Sequence, residues 1–513
     1  MESMTTVIVY SASGLLCLAV AAFLAFTVYT YYHGKKYSHI PSPKKSNFYL
    51  GHLPDAIRMR KELGNEEVPM QVLLAKWQAD CSSSIYVVHF LTQAMVVVTD
   101  PDVIKDIVMQ PKNPKSSYMM NKFGYLFGER FMGRGIFSIP DYDVWKPRRR
   151  MYDSAFKKSY LEGILPAFNG CIDLFLEKLA PFTDGVTPVP MKEHLSEVTL
   201  DVISKVAFGT DFTKSWNIHM LGLTPNNQNG KLTFLINSSF RGLQKSLNQP
   251  MFQILHPFEM RMYKQTARAL RMIGRDCIKK RIEMVESGAE VPNDILTHIL
   301  QVASTQSTVD IEELVDDFVT YYIAGQETTS NLLSFAVVMV HTHPTVLERL
   351  QAEVKEVLGE ETNITKELLQ KLEYTEQVLL ETLRMHPPVP GIGKEVAPEG
   401  LDVGGYHVPG GTPLMLPSSV LCRMPEYFDE PDTFNPDRFS PENTQPSSFV
   451  FFPFGLGHRS CIGKHFALME AKMILARLIQ TYQVTLPSGY QLVRVQRTTM
   501  QPQDTVNCTI QLC

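Results

Sequence analysis

The sequence predicts a mainly α-helical body with a small β part, preceded by one N-terminal transmembrane helix. Three observations carry that expectation. A long charge-free apolar run lies near the N-terminus, apolar positions recur at helical spacing over most of the chain, and a few short β-branched runs are set off by Gly and Pro. Of 513 residues, 44% are hydrophobic and 20% charged, enough to bury one large core. No Gly/Ser-rich spacer, block of like charge or repeat divides the chain after residue 50, so a single body is expected. The net charge of −4 gives no general attraction to nucleic acid.

The N-terminal run has no charge from Ser3 to Tyr32 and is largely apolar from Val7, longer than the ~20 residues a helix needs to cross a bilayer. Tyr29, Tyr31 and Tyr32 suit a membrane interface, and Lys35 and Lys36 follow. The positive-inside rule then places the rest of the chain in the cytosol. A cleaved signal peptide would show a basic n-region and a shorter apolar core. Residues 1–36 are expected to be the anchor and 37–513 the body.

Ile40-Pro41-Ser42-Pro43 is a stiff extended segment that ends the helix. Ile85–Phe90 and Ala94–Thr99 read as a hairpin around Leu91-Thr92-Gln93, and Tyr406–Val408 and Thr412–Leu416 as two more strands. Residues 151–210, 260–303, 311–342 and 464–481 read as helix. The eight cysteines are scattered, without a C-x-x-C pair or zinc spacing, and point to a reducing compartment. In a cytosolic body the sequons at Asn237, Asn363 and Asn507 are chance matches.

Four constellations carry chemistry. In Phe454-Gly455-Leu456-Gly457-His458-Arg459-Ser460-Cys461-Ile462-Gly463 the glycines allow a tight turn and close approach to a flat ligand. Cys461 falls just before a helix start, where free N–H groups and the dipole favour a thiolate. A thiolate axial to iron promotes O–O cleavage, and Arg459 is placed to meet an anionic group. The second is Ala324-Gly325-Gln326-Glu327-Thr328-Thr329, inside a helix started by Asp310 and Glu313 and ended before Pro344. Glu327 is the only charge between Phe318 and Val340 and so a candidate for proton handling. The Thr328 hydroxyl can bond to a carbonyl one turn back or to bound oxygen.

The third, Glu381 and Arg384 with Arg438 in Pro436–Phe439, reads as a buried ion network that holds the cysteine loop in place. In the fourth, Trp145-Lys146-Pro147-Arg148-Arg149-Arg150, Trp145 and Arg149 point the same way, toward an acidic cofactor edge. The other cations, with Lys157, Lys158 and Lys464, form a candidate docking patch for an acidic electron donor.

Together these motifs resemble the cytochrome P-450 superfamily from residue 40 to the end of the chain. The resemblance implies a triangular, mostly helical body with a small sheet around haem b, with 37–513 as the catalytic domain. It implies a haem-thiolate monooxygenase on the endoplasmic reticulum membrane, taking electrons from NADPH through a reductase and inserting one atom of O2 into a C–H bond. Cys461 would be the metal ligand, and Glu327 and Thr328 the proton relay. Trp145, Arg149 and Arg459 are similar in placement to the family's propionate partners, and Lys394 stands where the family often has Arg.

A closer resemblance is to the vertebrate cholesterol 24-hydroxylases. It rests on His39-Ile40-Pro41, Leu50–Pro54, Phe127–Arg130, Phe318–Thr328, Phe434–Phe439 and Phe452–Gly463. It implies a sterol substrate, with 389–393, 221–230 and 498–500 as pocket segments. Other lipids, steroids and xenobiotics remain open as substrates. So does a haem-thiolate isomerase or dehydratase that needs no external electrons, and, outside enzymes, a haem-containing sterol carrier or sensor.

Overall fold

The apolar N-terminal run folds as one helix, Glu2–Lys36. The computed structural model describes residues 2–62, 69–110, 114–210, 231–249, 251–304 and 310–513. Leu16–Lys36 is long and apolar enough to cross a membrane, and nearly all of it faces outward. The helix is braced against the body. Phe26 stacks on Tyr49 with ring centres 5.9 Å apart, and the Tyr49 hydroxyl is 3.2 Å from Thr27 Oγ1. Beyond the helix, Tyr37 bonds to Thr412 at 2.9 Å and His39 Nε2 donates to the His407 carbonyl.

The hairpin forms between Ile85–Phe90 and Gln93–Val98, with Phe90 opposite Gln93. The connection is therefore one residue tighter than the expected Leu91–Gln93, because Leu91 itself takes the left-handed conformation at φ 55°. Pro413–Leu416 joins Gln93–Val98 in parallel and Ile392–Glu395 antiparallel, completing a four-stranded sheet. Tyr406–Val408 pairs with Leu401–Val403 as a separate ribbon.

The helix expected over 151–210 is broken into several. Tyr142–Asp153, Lys158–Gly163 and Leu165–Leu179 precede a strand at Val189–Pro190, and Met191–Val202 ends in a wider π-type turn. Gly163, Pro166, Pro181, Gly185, Pro188 and Pro190 punctuate this stretch, and they outweigh its apolar periodicity. Likewise 260–303 divides into Pro257–Glu286 and Ile295–Ser304 across Gly288 and Pro292.

Two expected helices stand almost unchanged. Ile311–His341 spans about 46 Å at ~1.5 Å per residue, and Lys464–Thr481 follows the cysteine loop. The long helix runs through the main core. From Leu314 to Val340 every residue is buried except Ala324, Gly325, Glu327 and Thr328. A second core, with Val87, Val96, Leu414, Val450 and Phe452, fastens the cysteine loop to the sheet. The pocket segment expected at 221–230 lies outside the described residues.

Candidate active site

Two left-handed glycines shape the cysteine loop, Gly455 at φ 75° and Gly457 at φ 66°. A Cβ on Gly457 would fall 2.8 Å from the Val108 carbonyl, so no other residue fits there without displacing backbone. The Cys461 N–H donates to the Phe454 carbonyl at 2.8 Å, closing the loop on itself. Cys461 is accessible, yet protein surrounds its sulfur closely enough that burial dominates its ionisation, the combination expected of a residue in a recess.

That environment works against the thiolate that the helix start favours. Burial pushes the Cys461 thiol up, and the Gly463 N–H, Arg149 and Lys115 only partly oppose it. The helix begins past Gly463, leaving Cys461 outside the first turn, where the dipole acts most strongly. A thiolate here needs a bound cation to offset burial, as a metal ion does.

Cations gather around this recess. Arg149 donates to the Ser460 carbonyl at 2.8 Å and pairs with Asp153 at 2.6 Å. Arg459 donates to the carbonyls of Ile139, Pro140 and Asp141, and burial lowers its pKa to about 10. Trp145 is buried between them, its ring centre 5.9 Å from Arg149 and 4.2 Å from Arg459. Lys394 is buried and pushed down to about 8 by burial and by Arg459.

Sequence reasoning missed the fourth cation, Lys115. It donates to the Phe137 carbonyl at 2.9 Å and lies 3.9 Å over that residue's ring. Burial, then Arg459 and Lys394, push it down to about 7. The lone Lys115 between two short runs carries no sequence signal. Four cations gathered at this rim, three of them held down chiefly by burial, make it a favourable place for an anion.

The long helix opens where its burial lapses. Thr328 Oγ1 donates to the Ala324 carbonyl at 2.7 Å, one turn back, as expected. Burial raises the Glu327 carboxyl to about 7, opposed by the Thr499 hydroxyl, Lys192 and Arg497. Thr499 also accepts from Asn331 at 3.0 Å, so the 498–500 segment meets the acid directly. On the facing helix Glu470 is fully buried beside the Thr329 hydroxyl, in no close hydrogen bond, and burial lifts it well above the carboxylate range.

Glu381 and Arg384 are fully buried and doubly bonded at 2.7 and 2.8 Å. Arg384 also donates to the carbonyls of Cys422, Pro431 and Thr433, and Arg438 approaches Glu381 at 3.4 Å. The trio is structural, as the spacing implied. One docking cation is corrected. Arg148 pairs inward with Asp317 and donates to the Arg134 carbonyl, whereas Lys146, Arg150, Lys157, Lys158 and Lys464 remain exposed.

Asp316 and Asp317 were not anticipated. Asp316 binds Arg130, Arg271 and the Arg134 N–H, and Asp317 binds Arg148, Tyr152 and the Ile136 N–H. Gly133, at φ 48°, is needed here because a Cβ would land on the Asp316 carboxylate. Asp317 fastens the helix that carries Trp145 and Arg149 to the long helix, and Asp316 fastens the 130–134 segment and the Pro257–Glu286 helix to it. Their signal was a pair of adjacent acids entering an apolar run.

A recess that offers sulfur from one wall and cations at its rim fits a flat, acidic, iron-bearing group, and haem combines those properties. The fold and this site define a haem-thiolate enzyme. Residues 42–509 match the family model for cytochrome P450. Cytochrome P450 3A6 of Oryctolagus cuniculus is 30% identical over 77% of this chain and 78% of its own. Cytochrome P450 4d2 of Drosophila melanogaster is 28% identical over 79% and 82%. A crystal structure of the cytochrome P450DA haem domain superposes with a TM-score of 0.79 at 22% identity, covering 92% of this chain and 97% of that one. The chain belongs to the cytochrome P450 family and is a haem-thiolate monooxygenase.

Proposed function

We propose that the protein is a membrane-anchored haem b monooxygenase that hydroxylates a sterol, foremost the cholesterol side chain at position 24. The observation that carries the chemistry is the opening of the sealed long helix at Ala324–Thr328, where an acid of near-neutral pKa adjoins a hydroxyl. Bound haem supplies oxygen activation and oxygen-atom transfer, with electrons drawn from NADPH through a reductase. Cys461 would supply the sulfur that binds the iron. Trp145, Arg149, Arg459 and Lys394, joined by Lys115, would hold the acidic edge of the haem. Glu327 stores a proton near neutral pH, and Thr328 presents its hydroxyl to the recess. Exposed Lys146, Arg150, Lys157, Lys158 and Lys464 offer the donor protein a basic face.

Support for the sterol comes from the segments at 39–41, 50–54, 127–130, 318–328, 434–439 and 452–463. Support for the endoplasmic reticulum membrane comes from the apolar helix and the lysines after it, with residues 1–36 as anchor and 37–513 as catalytic domain. Met251, Ile254, Leu255 and Phe258 form a second exposed apolar tip, suited to a lipid phase and its solutes. The test supplies purified protein with reductase, NADPH and cholesterol, and identifies products by mass spectrometry. A 24-hydroxylated sterol is expected. An intact thiolate-type spectrum of the reduced carbon monoxide complex without sterol product overturns the substrate and turns the search to other lipids and xenobiotics. A haem-loaded protein that binds sterol but consumes no NADPH is a carrier or sensor.

A further inference from the structure

Between the body and the N-terminal helix lies a half-open cavity of about 320 Å³ that the chemistry above does not use. Its walls include His33, Lys35 and Ser38 from the helix end, Lys45 and Phe48 from the following loop, and His89 from the hairpin. Lys45 reaches back over the helix, where a Cβ on Gly34 would be 3.5 Å from its ammonium. Lys36 and Lys44 stand next to this cavity but do not line it. Among the described residues, no carboxylate forms an ion pair with any of these four lysines.

The cavity is therefore positive and uncompensated. Burial holds the Lys45 ammonium below its ordinary range, and His89 is pushed down to about 3 by burial and then by Lys45. His52 cannot relieve this charge: its Nε2 donates to the Pro43 carbonyl and its Nδ1 accepts the His89 N–H. Depth along the helix identifies what would. Exposed Tyr29, Tyr31 and Tyr32 mark an aromatic belt, and Thr30 and Tyr31 themselves line the cavity, which places it at the membrane interface, where headgroups lie.

We infer that this cavity binds the phosphate headgroup of an anionic phospholipid, held between Lys35 and Lys45. The site rests on the reading of Leu16–Lys36 as a membrane helix. Basic residues just cytoplasmic of a spanning helix attract anionic lipid, each worth roughly fivefold in affinity. Here two of four are set in a walled cavity, so the pair recognises one lipid and not merely a charged surface.

The test uses full-length haem-loaded protein in neutral detergent, with phosphatidylserine, phosphatidylcholine or inorganic phosphate added, and native mass spectrometry as readout. One phosphatidylserine is expected to stay bound under activation that strips phosphatidylcholine, undisplaced by millimolar inorganic phosphate. The Lys35→Gln/Lys45→Gln double variant loses that preference on the order of tenfold. The Lys36→Gln/Lys44→Gln variant, which removes equal charge beside the cavity, keeps it. Equal loss in both variants, equal retention of the two lipids, or displacement by inorganic phosphate overturns the site. Unchanged reduced carbon monoxide spectra show that the variants fold. Flotation on neutral phosphatidylcholine vesicles tests the anchor by itself. Protein that fails to float sinks the anchor reading, whereas floating protein without a phosphatidylserine preference sinks only the headgroup site.

Discussion

The Arg459 guanidinium lies 4.2 Å from the centre of the Trp145 ring while its nitrogens donate to three consecutive carbonyls, those of Ile139, Pro140 and Asp141. One side chain thus joins the cysteine loop to the start of the helix that carries Trp145 and Arg149.

Arg459→Leu removes that junction and leaves the carbonyls without their donor. Charged hydrogen bonds of this kind contribute about 1.5–3 kcal/mol, so haem retention is expected to fall tenfold or more. The haem-to-protein absorbance ratio in the presence of a haem-accepting competitor measures it. Wild-type retention in the variant would show that the arginine has no part in holding the cofactor.

Lys115→Met separates folding from cofactor binding. Without haem, the substitution removes a cation that its neighbours already push down to about 7, so the apoprotein melts at the same or a higher temperature. With haem, a cation at the acidic edge is missing and cofactor dissociation speeds up. A drop in apoprotein melting temperature with unchanged haem dissociation would reverse the assignment.

Glu327→Gln is expected to slow turnover about 100-fold, the lower end for a positioned acid, with an unchanged reduced carbon monoxide spectrum. It also alters the pH dependence of stability. Below about pH 4.5 the carboxyl is neutral in the folded and unfolded states, and its contribution is fully present. As pH rises toward about 7 the unfolded chain ionises while the buried acid does not, so that stability is lost. The variant should therefore exceed wild type by about 1–3 kcal/mol at pH 8 and match it near pH 4.5. Parallel melting curves across that range would exclude the buried acid.

Thr328→Ala removes the hydroxyl held to the Ala324 carbonyl without touching the cation set. NADPH consumption is expected to continue while product falls, with the difference appearing as peroxide or water. Full coupling in the variant would remove Thr328 from the relay.

Arg384→Leu leaves the Glu381 carboxylate buried without its bidentate partner, a change that costs about 3–5 kcal/mol. Arg384→Lys keeps the charge but not the fork, so its loss should be smaller. Denaturant unfolding ranks the two. Equal stability of all three proteins would mean that the network carries no load.

The cysteine loop, the Ala324–Thr329 segment and the Glu381–Arg384 pair were legible because each packs its chemistry into a few adjacent residues. The long helix was legible for a related reason: Asp310 caps it, and nothing before Pro344 interrupts it. Lys115 was not legible, since its role comes from Phe137, Arg459 and Lys394, which fold up against it from distant parts of the chain. The burial around the Cys461 thiol was not legible, because helix position can be read from sequence and burial cannot. The stretch 151–210 failed at its prolines, where apolar spacing continues across breaks in the hydrogen-bond ladder. Arg148 looked like one more surface cation until Asp317 turned it inward.

The contact between Phe26, Thr27 and Tyr49 reaches beyond the joint itself. A helix clasped to its body three turns before its end is a keel, not a tether. In a bilayer such a protein could not swing freely about its stem. It would drift sideways with one flank always turned to the lipid, and would meet partners moving in the same plane at a fixed height and angle.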